Sequence, residues 1–289
     1  MFSVKGVREA GRCARVADVL HCKLRATIAL VAFTTLMTLS WAESPPAGAE
    51  VSPSAATRLD GDLVRIAAAR TDHVAVYVYD ELTHHAASFH VATVSQTASI
   101  VKVDILATLL WQAQRRGLGL TASQLRLASA MITRSDNDAA SALWDQAGTG
   151  AGLGRYNQVI GLSATTFAGN GAWGLTRTTP RDQVTLLRSV TYGPGPLSAH
   201  NRLYLRRLLA HIEPDQSWGV SAGVPAGGWE LKNGWLPLVP GGWRVNSMGH
   251  IRASGRDYEL AVLTTDNPSL AYGIATTEAV SRVVFRDLG

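Results

Sequence analysis

Cysteine is nearly absent from this sequence. The two cysteines, Cys13 and Cys22, both precede an apolar run over residues 26–39. If that run is removed with everything before it, the remaining chain can form no disulfide, no thiolate nucleophile and no Cys-based zinc site. No cysteine follows the run to carry a lipid, and the eight histidines are scattered without metal-site spacing. We therefore predict no metal and no cofactor.

Lysine is almost as scarce. The 27 basic residues include four lysines, and all the others are arginine. Only Lys102 and Lys232 follow the apolar run. Arginine does not deprotonate in proteins, whereas a lysine amine does when burial lowers its pKa. These two lysines are therefore candidates for acid–base chemistry rather than for fixed positive charge.

Most of the net positive charge lies at the amino terminus. The formal net charge is +5, and residues 1–42 contribute +4 of it, which argues against a nucleic-acid partner. Basic residues, the apolar run and Ser40-Trp41-Ala42 form a pattern typical of a cleaved export signal. We predict a signal peptide over 1–42 and a flexible linker over 43–57. The protein is therefore predicted to be secreted or to lie in the cell envelope, without a stable membrane anchor once the signal is cleaved. An uncleaved anchor is the alternative, although the run is short for a bilayer span.

The hydrophobic periodicity changes in the order strands, helices, strands, helix. Alternating residues predict strands over 73–79, 86–91, 229–231, 243–253 and 258–265. Helical spacing and caps predict helices over 99–116, 121–132, 137–147, 151–160, 179–191, 198–211 and 272–285. This order predicts an α/β subdomain formed by 58–98 plus 216–289, with a helical subdomain, 99–215, inserted between its halves.

The first candidate motif is Ser99-Ile100-Val101-Lys102. Residues three apart on a helix share a face, so the hydroxyl and the amine can meet. The positive end of the helix dipole also favours a developing negative charge on a serine at the helix start. A capping serine with a surface lysine is the alternative interpretation.

The second candidate motif is Ser135-Asp136-Asn137. All three residue types are common helix caps, and a helix is predicted to begin directly after them. In the functional interpretation, Ser135 relays a proton to a leaving group and Asn137 donates to a substrate carbonyl.

The third candidate motif is Lys232-Asn233-Gly234. Asn-Gly between apolar residues favours a tight hairpin turn. The alternative is an edge strand on which Lys232 faces the site and Gly234 lets a substrate approach the backbone. The N–H of Trp235 would then complete an oxyanion hole with that of Ser99.

Together the three motifs resemble the set S-x-x-K, S-D-N and K-T-G of class A β-lactamases and penicillin-binding proteins. The resemblance extends from His73 to the C-terminal helix and includes Thr-Thr-Pro-Arg-Asp at 178–182. It implies an α+β fold in which an antiparallel sheet is flanked by N- and C-terminal helices beside the inserted helical subdomain. It also implies that Ser99 is the acylated nucleophile and Lys102 its general base or proton shuttle, and that Ser135 passes the proton to the leaving nitrogen.

The same resemblance assigns the substrate-binding residues. Asn137 would bind the substrate's side-chain carbonyl, and Lys232 would hold the relay and attract the substrate carboxylate. Asn233 stands where the family usually has threonine, and its amide can donate to a carboxylate. Arg244 is a further candidate for that carboxylate, the alternative being a solvated arginine on a strand.

The resemblance breaks down at the step that releases the acyl group. Class A β-lactamases activate the water with a glutamate on the loop after the S-D-N helix, but residues 146–181 of this chain contain no Asp or Glu. We therefore predict a persistent acyl-enzyme. Three functions stay open: a β-lactamase-like hydrolase, a D-alanyl-D-alanine peptidase of the cell wall, and a non-catalytic binder or sensor of β-lactams or peptidoglycan fragments. The predicted ligand is a small β-lactam or a cell-wall peptide, and the protein is predicted to be a monomer.

Overall fold

The computed structural model describes residues 53–71, 73–193 and 195–288. The predicted signal peptide, 1–42, and residues 43–52 of the predicted linker lie outside the described residues. Helix α1 (Pro53–Ala68) begins inside the range predicted as a linker, so the prediction of a flexible segment is wrong for residues 53–57. Proline is well tolerated in the first helical turn and alanine is a strong helix former, so this short segment continues into the helix that follows. In the ranges that the structure describes, no helix is long and apolar enough to cross a membrane.

Most predicted elements are present in the predicted order with small shifts at their ends, and the structure adds one helix and two short strands that the periodicity did not predict. The strands are β1 (His73–Asp80), β2 (Ala86–Phe89), β3 (Ser95–Gln96), β4 (Arg177–Thr178), β5 (Trp229–Pro237), β6 (Trp243–Ala253) and β7 (Arg256–Asn267). After α1, the helices are α2 (Val101–Arg115), α3 (Ala122–Thr133), α4 (Asn137–Gln146), α5 (Thr149–Ile160), α6 (Pro180–Thr191), α7 (Ala199–Leu209) and α8 (Leu270–Asp287). Short 3₁₀ turns cover Ala98–Ile100, Trp173–Leu175 and Pro214–Gln216.

The main sheet joins the two ends of the described chain. Its five strands have the order β2-β1-β7-β6-β5, and all neighbouring strands are antiparallel. Helices α1 and α8 pack against each other and α8 packs on β6 and β7, while α6 packs on β1, β6 and β7. The predicted α+β fold with an antiparallel sheet is confirmed. The boundaries of the two subdomains stay a prediction.

Helix α2 is the central helix of the helical part. Its predicted apolar residues Ile105, Leu106, Leu109, Leu110 and Ala113 are all buried, and the helix contacts α3, α4, α5 and α7. A helix enclosed on all sides is rigid, because each side chain is fixed by close-packed neighbours. The turn that leads into its amino-terminal end, which contains Ser99, is therefore held firmly in place.

Strand β5 differs from the prediction for residues 229–231. It continues through Asn233-Gly234 to Pro237 as an edge strand, so the interpretation as a tight turn is wrong. The chain reverses later, where Gly241 and Gly242 have φ of 123° and 63°. These positive φ values suit glycine, and they place the hairpin beyond the third motif.

Candidate active site

Ser99 lies in the 3₁₀ turn that leads into α2. The Nζ of Lys102 lies 3.0 Å from the Oγ of Ser99, so the predicted contact between hydroxyl and amine is present. The preceding residue, Ala98, has a φ of 48°, which non-glycine residues seldom adopt. Such backbone conformations cluster at functional sites, where the surrounding packing maintains them.

Lys102 is fully buried, with 0% of its surface exposed. Besides Ser99, its Nζ lies 2.6 Å from the carbonyl oxygen of Ser135, 3.0 Å from Ser135 Oγ and 2.8 Å from Asn137 Oδ1. Burial lowers its pKa to about 7, although the nearby charge of Asp136 acts in the opposite direction. A neutral amine can donate its two hydrogens to the two carbonyl oxygens and direct its lone pair at the Ser99 hydroxyl. This arrangement suits a general base.

Ser135 joins the two lysines that follow the apolar run, Lys102 and Lys232. Its Oγ lies 3.0 Å from the Nζ of Lys102 and 3.0 Å from the Nζ of Lys232. Burial, together with the neighbouring Lys102, holds the pKa of Lys232 well below its usual range. Two buried amines that share one hydroxyl cannot both carry a charge at neutral pH without a large free-energy cost. The Lys102–Ser135–Lys232 group can therefore store and pass on a proton.

Gly234 brings the edge strand against the nucleophile's backbone. A Cβ at this position would lie 2.8 Å from the nitrogen of Ser99, 2.8 Å from the oxygen of Thr97 and 2.9 Å from the nitrogen of Ile100. Real Cβ contacts are longer than these distances, so only glycine fits without movement. The close approach aligns β5 with the turn that holds Ser99 and puts Trp235 beside it in the cleft.

A polar network anchors the first half of β5. Arg206 on α7 forms a bidentate ion pair with Glu230, at 2.8 Å and 2.9 Å. The imidazole of His250 lies 3.5 Å from Glu230 and 2.9 Å from Asp257. Burial would lower the pKa of His250, but these two carboxylates outweigh it and raise the pKa to about 9. The network ties β5, β6, β7 and α7 together close to Lys232.

The cleft above Ser99 has a volume of about 210 Å³, which suits a small substrate rather than a protein segment. It is lined by Ala98, Ser99, Arg134, Ser135, Asn137, Trp173, Gly174, Gln216, Trp235 and Leu236. None of these residues is acidic. The structure thus brings Ser99, Ser135, Asn137 and Trp235 to one cleft, with Lys102 and Lys232 buried beside it.

Two of the predicted carboxylate-binding residues are engaged elsewhere. The amide nitrogen of Asn233 donates to the carbonyls of Gln216 and Trp218, at 2.8 Å and 2.9 Å, and the residue is 1% exposed. Its amide is therefore not available to a substrate, and it links β5 to the segment before it instead.

Arg244 also lies outside the cleft lining. Its guanidinium bonds Gln96 Oε1 at 3.0 Å, pairs with Asp266 at 3.2 Å and contacts the carbonyl of Gly241. These long-range partners satisfy the charge, so the structure does not present Arg244 to a substrate.

Sequence reasoning assigned no role to Arg134, Trp173 or Gln216, although all three line the cleft. Arg134 could have been noticed because it directly precedes Ser135. The ring of Trp173 lies 4.9 Å from Lys102 Nζ, and its Nε1 donates to Ser141 Oγ at 3.2 Å. No local pattern reveals Trp173, because this contact joins distant parts of the chain.

Comparison with known proteins agrees with this architecture. The chain is 25% identical over 225 residues to a lipoprotein candidate, LppW, of Mycobacterium tuberculosis, a match covering 76% of this chain and 71% of that protein. A class A β-lactamase from Bacteroides cellulosilyticus superposes with a TM-score of 0.72 at 16% identity, over 81% of this chain and 98% of the other. A class A β-lactamase from Mycobacterium abscessus gives 0.67 at 21% identity, over 79% and 98%.

A sequence model of the Beta-lactamase enzyme family matches residues 114–288. The matched range is more than half of the chain and includes Ser135, Asn137, Lys232 and Gly234; Ser99 and Lys102 precede it and are located by the structure. This chain therefore belongs to the Beta-lactamase enzyme family and has the fold of the class A β-lactamases.

Proposed function

We propose that this protein is an exported serine hydrolase that β-lactams or related amides acylate on Ser99 and that releases the acyl group slowly. The observation that carries the proposal is the contact of Lys102 Nζ, which is fully buried, with Ser99 Oγ at 3.0 Å in the wall of the cleft. A serine hydroxyl is a weak nucleophile unless a base removes its proton. Lys102, with its pKa lowered to about 7 by burial, supplies that base.

Acylation begins when neutral Lys102 takes the proton of Ser99 Oγ as the oxygen attacks the substrate carbonyl carbon. The carbonyl oxygen becomes negative, and the N–H groups of Ser99 and Trp235 stabilise it. As the C–N bond breaks, the leaving nitrogen receives a proton from the Ser135 hydroxyl. Lys102, which holds the proton taken from Ser99, then returns a proton to Ser135, because its Nζ lies 3.0 Å from Ser135 Oγ. Lys232 Nζ, at 3.0 Å from the same oxygen, keeps the hydroxyl oriented.

Asn137 positions the rest of the substrate. Its Oδ1 accepts from Lys102 Nζ at 2.8 Å, which fixes the orientation of the amide. Its Nδ2 is then left to donate to an amide carbonyl of the substrate. Asn137 therefore contacts the substrate through Nδ2 and the general base, Lys102, through Oδ1.

Slow release follows from what surrounds the acylated serine. Hydrolysis of an acyl-enzyme requires a base that activates water, and no cleft-lining residue in the described chain is acidic. The indole of Trp173 lies 4.9 Å from Lys102 Nζ and covers the amine with an apolar surface. Asp136, the acid next to Ser135, accepts from the N–H of Ala139 at 2.8 Å and caps α4.

Intact-mass spectrometry with time after penicillin addition tests both halves of the proposal. We expect one adduct with the mass of the whole penicillin on Ser99, persisting for minutes to hours, and no adduct on Ser99→Ala. A folded protein that forms no adduct contradicts acylation. Rapid multiple turnover of a chromogenic cephalosporin contradicts slow release.

The rate of acylation is expected to rise with pH up to about 7 and to level off above it. Lys102 acts as a base only when neutral, and burial lowers its pKa to about 7. Below that value, each pH unit should reduce the rate about tenfold, because the neutral fraction falls tenfold. Stopped-flow labelling with a fluorescent penicillin between pH 5.5 and 9 measures this profile. A rate that is flat over this range would rule out Lys102 as the titrating base.

A D-alanyl-D-alanine peptidase of the cell wall is a second candidate function. It uses the same acylation chemistry, and the export signal predicted over residues 1–42 would bring the protein to where wall peptides occur. The relation to a lipoprotein candidate supports the same location in the cell envelope. Release of D-alanine from a wall pentapeptide would select this function over β-lactam hydrolysis.

A further inference from the structure

The lining of the cleft carries one permanent positive charge among its described residues, and that charge is Arg134. Lys102 and Lys232 lie beneath the lining, at 0% and 1% exposure, so neither amine reaches a bound ligand directly. Both also have lowered pKa values because of burial. Arginine keeps its charge at every accessible pH.

The guanidinium of Arg134 has no partner among the described residues, whereas that of Arg244 is paired. Arg244 is held by Gln96, Gly241 and Asp266. The Arg134 side chain forms no hydrogen bond or ion pair within the part of the chain that the structure describes. A free arginine in a cleft without acidic lining favours an anionic ligand, and its planar fork matches a carboxylate.

The backbone of Arg134 is fixed although its side chain is free. Its N–H donates to the carbonyl of Ala130 at 3.2 Å, and its carbonyl accepts from Gln216 Nε2 at 2.9 Å. The next residue, Ser135, has a φ of 56° and contacts both lysines. The guanidinium is therefore attached to the same fixed backbone segment, Arg134-Ser135, that provides the hydroxyl of the proton relay.

We propose that Arg134 is the residue that binds the substrate's carboxylate, so that this enzyme selects substrates with a negative charge next to the scissile amide. The inference rests on the proposed acylation of Ser99. It transfers to Arg134 the carboxylate-binding role that the resemblance suggested for Lys232, Asn233 and Arg244. Arg134 acts on specificity and takes no part in proton transfer.

The test compares acylation by benzylpenicillin with acylation by its uncharged methyl ester. In Arg134→Gln we expect the second-order rate for the free acid to fall about tenfold, the usual effect of losing one charge-assisted hydrogen bond. The rate for the ester should stay unchanged. Arg134→Lys should recover part of the preference for the acid, and added salt should weaken that preference in the wild type because the group is exposed.

Matched variants separate the possible outcomes. Arg126→Gln removes an exposed arginine of α3 outside the cleft lining and should leave both rates unchanged. An unaltered preference in Arg134→Gln, or loss of the preference in Arg244→Gln alone, overturns this inference and leaves the acylation of Ser99 intact. If the wild type forms no adduct with either penicillin, the proposed function fails, and this inference fails with it.

Discussion

Replacing Lys102 with arginine is expected to reduce acylation of Ser99 by penicillin about 10²–10⁴-fold, the range that general-base catalysis contributes. The amine of Lys102 lies 3.0 Å from Ser99 Oγ and has its pKa lowered to about 7 by burial, so it can accept the proton. A guanidinium at this place keeps its charge and has no lone pair to offer. The measurement is the rate of labelling by a fluorescent penicillin, followed by intact mass.

A folding control accompanies this variant, because arginine also places a fixed charge in a fully buried site. Lys102→Met has a similar length and no charge, so it removes the base without adding a buried cation. Both variants should unfold cooperatively and lose labelling. Full labelling of a folded Lys102→Arg protein would refute the role of Lys102 as the base.

Replacing Gly234 with alanine is expected to lower the acylation rate about 100-fold, because small displacements of a reacting group cost rates of this order. The added Cβ would lie 2.8 Å from the nitrogen of Ser99 and from the oxygen of Thr97. Both are backbone atoms, so the clash can be relieved only if β5 moves away from the turn that contains Ser99. That movement separates the N–H of Trp235 from that of Ser99 and opens the proposed oxyanion hole.

Alanine at Gly234 should also destabilise the protein by about 1–3 kcal/mol, as overpacking of a filled interior does. Gly119→Ala is the matched control, since a Cβ there meets nothing within 4 Å. Thermal unfolding and acylation rate are measured on both variants. Wild-type acylation by Gly234→Ala would show that the contact between β5 and Ser99 is not needed for the reaction.

The sequence predicted helices and strands well where a single local factor, such as hydrophobic spacing or a capping residue, determines them. The apolar residues of α2 recur with helical spacing and are buried as expected. Thr179 caps α6 by accepting from the N–H of Asp182, at 3.2 Å, with Pro180 next in the chain. Strand β5 was predicted too short, because Asn-Gly favours a turn locally. Its contact with the turn around Ser99 overrides that preference.

The binding residues were harder to predict than the reacting ones. Asn233 and Arg244 have the chemistry to bind a carboxylate, but the fold uses Asn233 to hold the carbonyls of Gln216 and Trp218. It uses Arg244 to pair with Asp266. Trp173 and Arg134 face the cleft instead. A residue type shows what a side chain can do, whereas its long-range partners determine whether it is free to do it.

The sequence by itself determined the pairing of Ser99 with Lys102, because helical geometry brings residues three apart onto one face. It also determined that residues 146–181 offer no carboxylate, since no fold can supply an acid that the segment lacks. Only the tertiary structure decided that Lys102 and Lys232 meet at the hydroxyl of Ser135. It likewise decided that, among the residues that the structure describes, Arg244 is paired while the Arg134 side chain has no partner. The reason is that ion pairs and hydrogen bonds between distant segments depend on how the whole chain packs, and no local pattern records them.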